Sequence, residues 1–207
     1  VFIDSEIDTF LPTIASIEAK ITPKTTAIMI PNLLGNKMDS DYLRTLCEIK
    51  GILYIEDSCD TITDSNGHFV TTSFYGSHII TAMGGGGMVM SDDKKAMDRI
   101  RTMRDWGRGV DVSEKIDDRY QYELDGIPYD GKFVYVEQGF NMRPIEAMAA
   151  FGLEQLKRLD GFIKIRKDNF NKLYDFFSQF DYFNLPKSQF NPNWLAFSLQ
   201  NSLYNLG

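Results

Sequence analysis

The chain has 207 residues, a formal net charge of −7 and a sequence pI of about 4.9. Such an acidic chain lacks the basic face that phosphate neutralisation requires, which argues against a nucleic-acid partner. It also has no long apolar run typical of a membrane span and no signal peptide at residues 1–4. Two cysteines and two histidines without ligand-type spacing predict neither a disulfide framework nor a metal centre, so the cytoplasm is the default location.

The first third of the chain alternates strand-like and helix-like segments. Residues 1–4 resemble a core strand with nothing before it, so we expect upstream sequence to be missing. Residues 14–20 have a helical pattern, residues 25–30 and 52–55 are apolar runs, and Asp39 or Ser40 can cap a helix between those runs. Continuously apolar strands joined through a helix are typical of a parallel sheet covered on both faces, and we therefore predict an α/β fold.

Acidic residues follow the second of these apolar runs. Glu56, Asp57 and Asp60 fall at the predicted carboxyl end of a strand, where α/β folds bind their ligands. An acidic strand end can be only a solvated turn. The apolar run before Asp57 instead favours partial burial beside a charged partner, and we assign this residue a functional role.

The stretch around His78 is the most informative part of the sequence. Ile79 and Ile80 predict a short buried strand, and residues 88–90 begin another after the four glycines at 84–87. Four residues without Cβ allow the backbone either to approach a bound group or simply to form a glycine-rich hairpin. A lone histidine among core residues is more often structural than catalytic. His68 lies in a polar turn and is predicted to be exposed.

The second half of the chain contains further helical patterns. Asp92 or Asp93 can cap one helix, Pro144 begins another, and a third starts at about Gly161. Residues 110–132 form a long polar excursion, and residues 194–199 predict a final strand. A composition shift places a domain boundary near Asp160, with a large sheet domain over residues 1–159 and the start of a smaller α+β domain over residues 160–207.

Taken in order, these motifs resemble the DegT/DnrJ/EryC1/StrS sugar-nucleotide aminotransferases and dehydratases. The resemblance rests on residues 1–4, 21–28, 55–57, 73–75, the glycine run, 139–144 and 155–156. It implies the pyridoxal-phosphate-dependent transferase fold of type I, with a mainly parallel sheet flanked by helices, truncated at both ends. An N-terminal Gly-Ser/Thr turn of the family and most of its C-terminal domain are absent from the sequence.

The resemblance also implies a role for several residues. Asp57 matches the carboxylate that holds the pyridine nitrogen of pyridoxal 5′-phosphate, and Asp60 matches the position that contacts the ring hydroxyl. Ser73 matches a serine that hydrogen-bonds the cofactor phosphate. Asn141 matches an asparagine that reaches the phosphate from the second subunit, which implies a homodimer.

His78 stands where aminotransferases of this family carry the lysine that binds the cofactor covalently. Histidine at this position marks the 3-dehydratase branch, which holds pyridoxamine 5′-phosphate without a covalent tether. The resemblance therefore implies that His78 transfers a proton while the C3 hydroxyl leaves a nucleotide-linked 4-keto-6-deoxyhexose, in deoxysugar biosynthesis for lipopolysaccharide. Val110 and Val112 stand where cluster-bearing relatives have cysteines, which favours the cluster-free subclass that uses glutamate as amino donor.

Two alternatives remain open at the level of the sequence. One is a sugar aminotransferase in which Lys94 or Lys95 supplies the amine. The other is a non-catalytic fragment of the family that binds a partner subunit. The glycine run lies one residue further from His78 than in the family, and the segment from Asp60 to Ser73 is shorter than usual.

Overall fold

We analysed a computed structural model, which describes residues 1–109, 116–188 and 190–201. In chain order the elements are α1 (Ile14–Lys20), β1 (Ala27–Pro31), α2 (Ser40–Lys50), β2 (Leu53–Asp57), β3 (Phe69–Ser73), β4 (Gly87–Met90), α3 (Lys94–Arg104), α4 (Ile116–Arg119), β5 (Tyr122–Leu124), β6 (Ile127–Tyr129), α5 (Glu146–Leu156), α6 (Leu159–Phe177), β7 (Phe183–Asn184) and β8 (Gln200–Asn201). Short 3₁₀ helices cover Leu33–Gly35 and Gly131–Phe133. The chain forms two compact units, one of residues 1–90 with 146–207 and one of residues 91–145.

A four-stranded sheet in the order β1-β2-β3-β4 organises the first unit. The first three strands are parallel, and β4 runs antiparallel to β3. The predicted α/β architecture with a mainly parallel sheet is therefore confirmed. The parallel register aligns Pro31 with Asp57 and Asp57 with Thr71, so the three strands end at the same edge.

Helices α1 and α2 are the sequence's clearest elements, and both occur where they were predicted. Asp39 caps α2 by accepting a hydrogen bond from the Tyr42 N–H, and Gly51 ends it in the left-handed conformation. Both helices bury one apolar side against the sheet. The resulting core consists of Leu11, Ile17, Ile28, Ile30, Met38, Leu43, Cys47, Ile52 and Tyr54.

The first unit is completed by α5, α6 and the short β7–β8 pair. Helix α6 carries Phe170, whose ring stacks on Trp194 with 4.7 Å between centroids. The predicted strand over residues 194–199 is wrong, because among the described residues after Phe190 only Gln200–Asn201 form a strand, which pairs with Phe183–Asn184. The proposed domain boundary near Asp160 stays a prediction.

The second unit contains α3, which Asp93 caps as predicted, and a β-hairpin of β5 and β6. This hairpin corrects the prediction of an irregular excursion over residues 110–132. Asp125 and Gly126 both have positive φ, as a two-residue turn of type I′ requires. Val110 and Val112 lie outside the described residues. None of the described helices is both long and apolar enough to span a membrane.

Candidate active site

The candidate site lies where β2 and β3 end, and Asp57 is its first member. Asp57 is the last residue of β2 and is half-buried. Its Oδ1 accepts hydrogen bonds from the Thr71 hydroxyl at 3.2 Å and from the Cys59 N–H at 3.1 Å. Burial raises the pKa of the Cys59 thiol to about 11, and the neighbouring Asp57 carboxylate adds to this effect. The thiol therefore stays protonated at neutral pH beside a carboxylate held by two donors.

Asp60 lies one turn further along the chain and divides its two oxygens between two partners. Oδ2 accepts a hydrogen bond from the Leu34 N–H at 2.8 Å. Oδ1 lies 3.7 Å from Nε2 of His78, with both side chains about one-fifth exposed. The distance fits an ion pair once the imidazole is protonated. The structure therefore brings together two of the predicted residues, Asp60 and His78.

His78 lies in the loop between β3 and β4. Its N–H donates to the Tyr75 carbonyl, and its ring lies edge-on to the Tyr75 ring at 6.0 Å. Ile79 and Ile80 are only 5% exposed each, so the prediction of burial is confirmed although they form no strand. They anchor the loop. Nδ1 of His78 is buried without a hydrogen-bond partner among the described residues, so the protein commits neither ring nitrogen to a close hydrogen bond.

Ser73 ends β3, and the glycine run leads back into β4. The Ser73 hydroxyl accepts a hydrogen bond from the Tyr75 N–H at 3.2 Å. Gly84 and Gly86 have φ values of +90° and +91°, and a Cβ at Gly87 would lie 2.7 Å from the Thr72 carbonyl oxygen. The turn and the pairing of β3 with β4 therefore require these glycines by themselves, as in the glycine-rich hairpin that was one of the two readings of the sequence.

Asn141 belongs to the second unit. It is exposed, and its backbone pairs with that of Asp105. Asp105 is 5% exposed and holds the guanidinium groups of Arg108 and Arg143 at 3.1 Å and 3.6 Å. The predicted cofactor role of Asn141 stays a prediction, as do those of Asp57, Asp60, Ser73 and His78.

Sequence reasoning missed a buried polar network beneath the same edge. Glu56 is fully buried, and its carboxylate accepts hydrogen bonds from the Asn32 amide at 2.8 Å and from the backbone N–H groups of Asn66 and Gly67. Asn32 also donates to the Ser58 hydroxyl at 2.8 Å. Side chains alternate along a strand, so Glu56 faces the same side as Tyr54 and opposite to Asp57. That alternation was the sequence signal that could have placed Glu56 and Asp57 on opposite faces of the sheet.

The absence of a metal centre stays a prediction for the chain, of which the structure describes residues 1–109, 116–188 and 190–201. No group of three or more His, Cys, Asp or Glu side chains there could hold a metal ion. The two cysteines are free, with Cys47 buried and Cys59 partly buried. The chemistry available at this edge is that of two carboxylates, an imidazole and backbone or hydroxyl donors.

Comparisons with known proteins agree on one family. The model of the DegT/DnrJ/EryC1/StrS aminotransferase family matches residues 1–202. The chain is 34% identical to the lipopolysaccharide biosynthesis protein RfbH of Salmonella typhimurium, over 96% of this chain and 49% of that protein. It is 31% identical to a GDP-4-keto-6-deoxy-D-mannose 3-dehydratase of Yersinia pseudotuberculosis, over 96% of this chain and 52% of that protein. The chain thus spans about half the length of the curated relatives it matches.

Solved structures give the same result for the fold. An E. coli GDP-4-keto-6-deoxy-D-mannose 3-dehydratase with bound hydrated PLP has a TM-score of 0.83 at 28% identity, covering 100% of this chain and 54% of that one. A GDP-4-keto-6-deoxymannose 3-dehydratase with a trapped PLP-glutamate geminal diamine has a TM-score of 0.82 at 27% identity, covering 97% of this chain and 54% of that one. The predicted transferase fold is confirmed.

Proposed function

The chain belongs to the DegT/DnrJ/EryC1/StrS aminotransferase family, and on that premise we propose that it acts with pyridoxamine phosphate as a 3-dehydratase of a nucleotide-linked 4-keto-6-deoxyhexose. The observation that carries the proposal is an imidazole, that of His78, set 3.7 Å from the Asp60 carboxylate at the edge where Asp57 ends β2. Relatives named as 3-dehydratases match 96% of the chain and support this substrate class.

The residues at this edge fit a pyridine ring. Asp57 is a half-buried carboxylate whose orientation is fixed by the Thr71 hydroxyl and the Cys59 N–H. A carboxylate in such a place favours the protonated form of a pyridine nitrogen, because the two charges stabilise each other. When bound, the cofactor supplies an amine and an electron-withdrawing ring that stabilises an adjacent carbanion. Asp57 would hold the ring nitrogen, Asp60 the ring hydroxyl and Ser73 the phosphate.

His78 is the group that moves the proton in this proposal. Imidazole gains and loses a proton near neutral pH, whereas a lysine would bind the cofactor covalently. Asp60 stabilises the imidazolium once His78 has accepted a proton, since opposite charges at this distance favour the charged form. The imidazole would then give that proton as general acid to the C3 hydroxyl, which leaves as water.

The remaining partners follow from the same premise. Glutamate is the proposed amino donor, which the PLP-glutamate adduct in one structural neighbour supports. We also propose a cytoplasmic homodimer in which Asn141 reaches the cofactor phosphate of the second subunit.

Cofactor spectroscopy tests the proposal. Purified protein mixed with pyridoxal phosphate and glutamate should convert the cofactor's aldehyde to an amine, with loss of the aldehyde absorbance. His78→Lys should instead form a covalent bond that borohydride fixes at residue 78. The unaltered protein is the control, because none of its own lysines should form such a bond.

The alternatives predict different results. An aminotransferase would show borohydride trapping at Lys94 or Lys95 in the unaltered protein, and it would give an aminated sugar rather than a 3-deoxy sugar by mass spectrometry. A non-catalytic fragment would take up no cofactor at all. Either result would overturn the dehydratase proposal.

A further inference from the structure

The carboxylate of Asp60 is oriented by one backbone group of an adjoining loop. The Leu34 N–H donates to Oδ2 at 2.8 Å, which leaves Oδ1 as the oxygen nearest His78 Nε2. Leu34 itself has φ +56° and ψ 17°, a left-handed conformation that is strained for a residue with a side chain. Such a conformation persists only where surrounding contacts impose it.

The contacts that hold Leu34 come from the far end of the chain. The Leu195 N–H donates to the Leu34 carbonyl at 2.8 Å. Next to it, a Cβ at Gly35 would lie 2.2 Å from the Asn193 carbonyl oxygen, so the two backbones are in direct contact. We define residues 193–195 as the docked segment.

The docked segment also contacts the chain on the other side of Asp60. Thr61 is fully buried, and its hydroxyl donates to the Asn193 carbonyl at 3.2 Å. The Asn193 amide donates to the Ile62 carbonyl at 3.4 Å. The segment therefore contacts both the loop that donates to Asp60 and the residue that follows Asp60 in sequence.

Helix α6 fixes the docked segment from behind. Arg166 donates from Nη1 to the Leu195 carbonyl at 2.9 Å, so both backbone groups of Leu195 are engaged. Trp194 is 8% exposed and stacks on Phe170 of the same helix. A continuous set of contacts thus runs from α6 through Leu195 and Leu34 to Asp60.

We infer that Thr61, Leu34 and Arg166 are positioning residues, through which the docked segment holds the Asp60 carboxylate toward His78. None of the three needs to touch substrate. The inference rests on the proposed function for its catalytic consequence, because Asp60 and His78 carry the proton transfer there. The positioning of Asp60 by Thr61, Leu34 and Arg166, which is the geometric part of the inference, does not depend on the proposed function.

NMR of the cofactor-free protein tests the geometric part. The chemical shift of the Leu34 amide reports its hydrogen bond to Asp60. Asp60→Asn removes the charge of the acceptor, so its spectrum shows in which direction the shift moves when that bond is weakened. Thr61→Val and Arg166→Met should each shift the Leu34 amide and the His78 ring signals in the direction that Asp60→Asn shifts them. Thr61→Ser, which keeps the hydroxyl, should restore the unaltered spectrum.

Thr63→Val is the matched control, because it removes a nearby threonine hydroxyl that makes none of these bonds with the docked segment. The Leu34 and His78 signals should stay in place in that variant. Unshifted signals in both Thr61→Val and Arg166→Met would overturn the inference. So would an equal shift in Thr63→Val, since that would indicate general loosening of the segment.

Kinetics then separate this inference from the proposed function. In cofactor-loaded protein Thr61→Val should lower kcat by about 10-fold, within the range that misplacement of a reacting group costs. If the NMR shifts occur but the unaltered protein has no dehydratase activity, the proposed function fails and the positioning inference stands. If activity is present and kcat is unchanged in Thr61→Val, the catalytic consequence is wrong.

Discussion

His68 shows how one side chain was misjudged from its neighbours in sequence. The polar turn predicted an exposed residue, whereas the structure half-buries it. Its ring Nδ1 accepts a hydrogen bond from the backbone N–H of Tyr54 at 3.0 Å, and the backbone N–H of His68 donates to the Tyr54 carbonyl. The ring therefore continues the pairing of β2, and Nδ1 must be unprotonated to accept that bond.

This role makes stability depend on pH. Burial, with a smaller contribution from Arg44, lowers the pKa of His68 below its ordinary value of 6.5. The unfolded chain thus binds the proton more readily than the folded chain, so stability falls as pH drops from 6.5 through the lowered pKa. Thermal denaturation at about pH 7 and about pH 5 should show this loss, and His68→Asn, which keeps an acceptor near the position of Nδ1, should reduce it.

The second histidine provides the control for this experiment. His78→Asn removes the other imidazole of the chain and should not diminish the loss of stability between those two pH values. Equal pH dependence in the unaltered protein and in His68→Asn would show that protonation of His68 does not oppose folding.

Residues with local signals were predicted well, and those defined by tertiary contacts were not. The place of Asp57 at the end of a strand was predicted because an apolar run leads to it, and the Asp39 cap was predicted because it precedes a helical pattern. The Leu34 N–H and the Thr71 hydroxyl carry no such signal. They reach Asp60 and Asp57 only because the loop after β1 and the end of β3 are brought beside them.

Replacement by alanine should change the free energy of unfolding in opposite directions at two helix glycines. Gly51 ends α2 with φ +65°, and Gly161 lies in the first turn of α6. An added Cβ would meet nothing within 4 Å at either position. Packing is therefore the same for both, and only the backbone conformation differs.

Gly51→Ala should cost about 1 kcal/mol of unfolding free energy, because a left-handed residue with a Cβ is strained. Gly161→Ala should add roughly 0.5–1 kcal/mol, because alanine favours the helix. Chemical denaturation of each variant measures both values. Destabilisation in both would mean that the first turn of α6 is not helical in solution.

The β5–β6 hairpin shows why one element was missed although its turn is visible in the sequence. Asp125-Gly126 is a strong signal for a two-residue hairpin turn, and both residues adopt the required positive φ. The strands around it are only three residues long, too short to show alternation. Conversely, residues 194–199 look strand-like because most of them are apolar, but the structure assigns no strand to them.

The whole molecule raises the question of how many chains one site needs. Asp57, Asp60, Ser73 and His78 lie in the first unit, whereas Asn141 lies in the second. Contacts within the first unit bring Asp60 beside His78. If Asn141 completes the site of a second subunit, each site combines the first unit of one chain with Asn141 of the other. A mixed dimer can then carry the His78 variant on one chain and the Asn141 variant on the other.

Complementation tests this arrangement. His78→Asn and Asn141→Ala should each be inactive alone, but a mixed dimer contains one site in which both residues are unaltered. Random mixing of equal amounts should therefore restore about a quarter of the wild-type sites, as twofold symmetry requires. The control pair is His78→Asn with Asp57→Asn, which should restore nothing, because both residues belong to the same chain's part of each site. If mixed dimers form, as shown by differently tagged subunits, and the first pair still has no activity, Asn141 serves its own chain or no site at all.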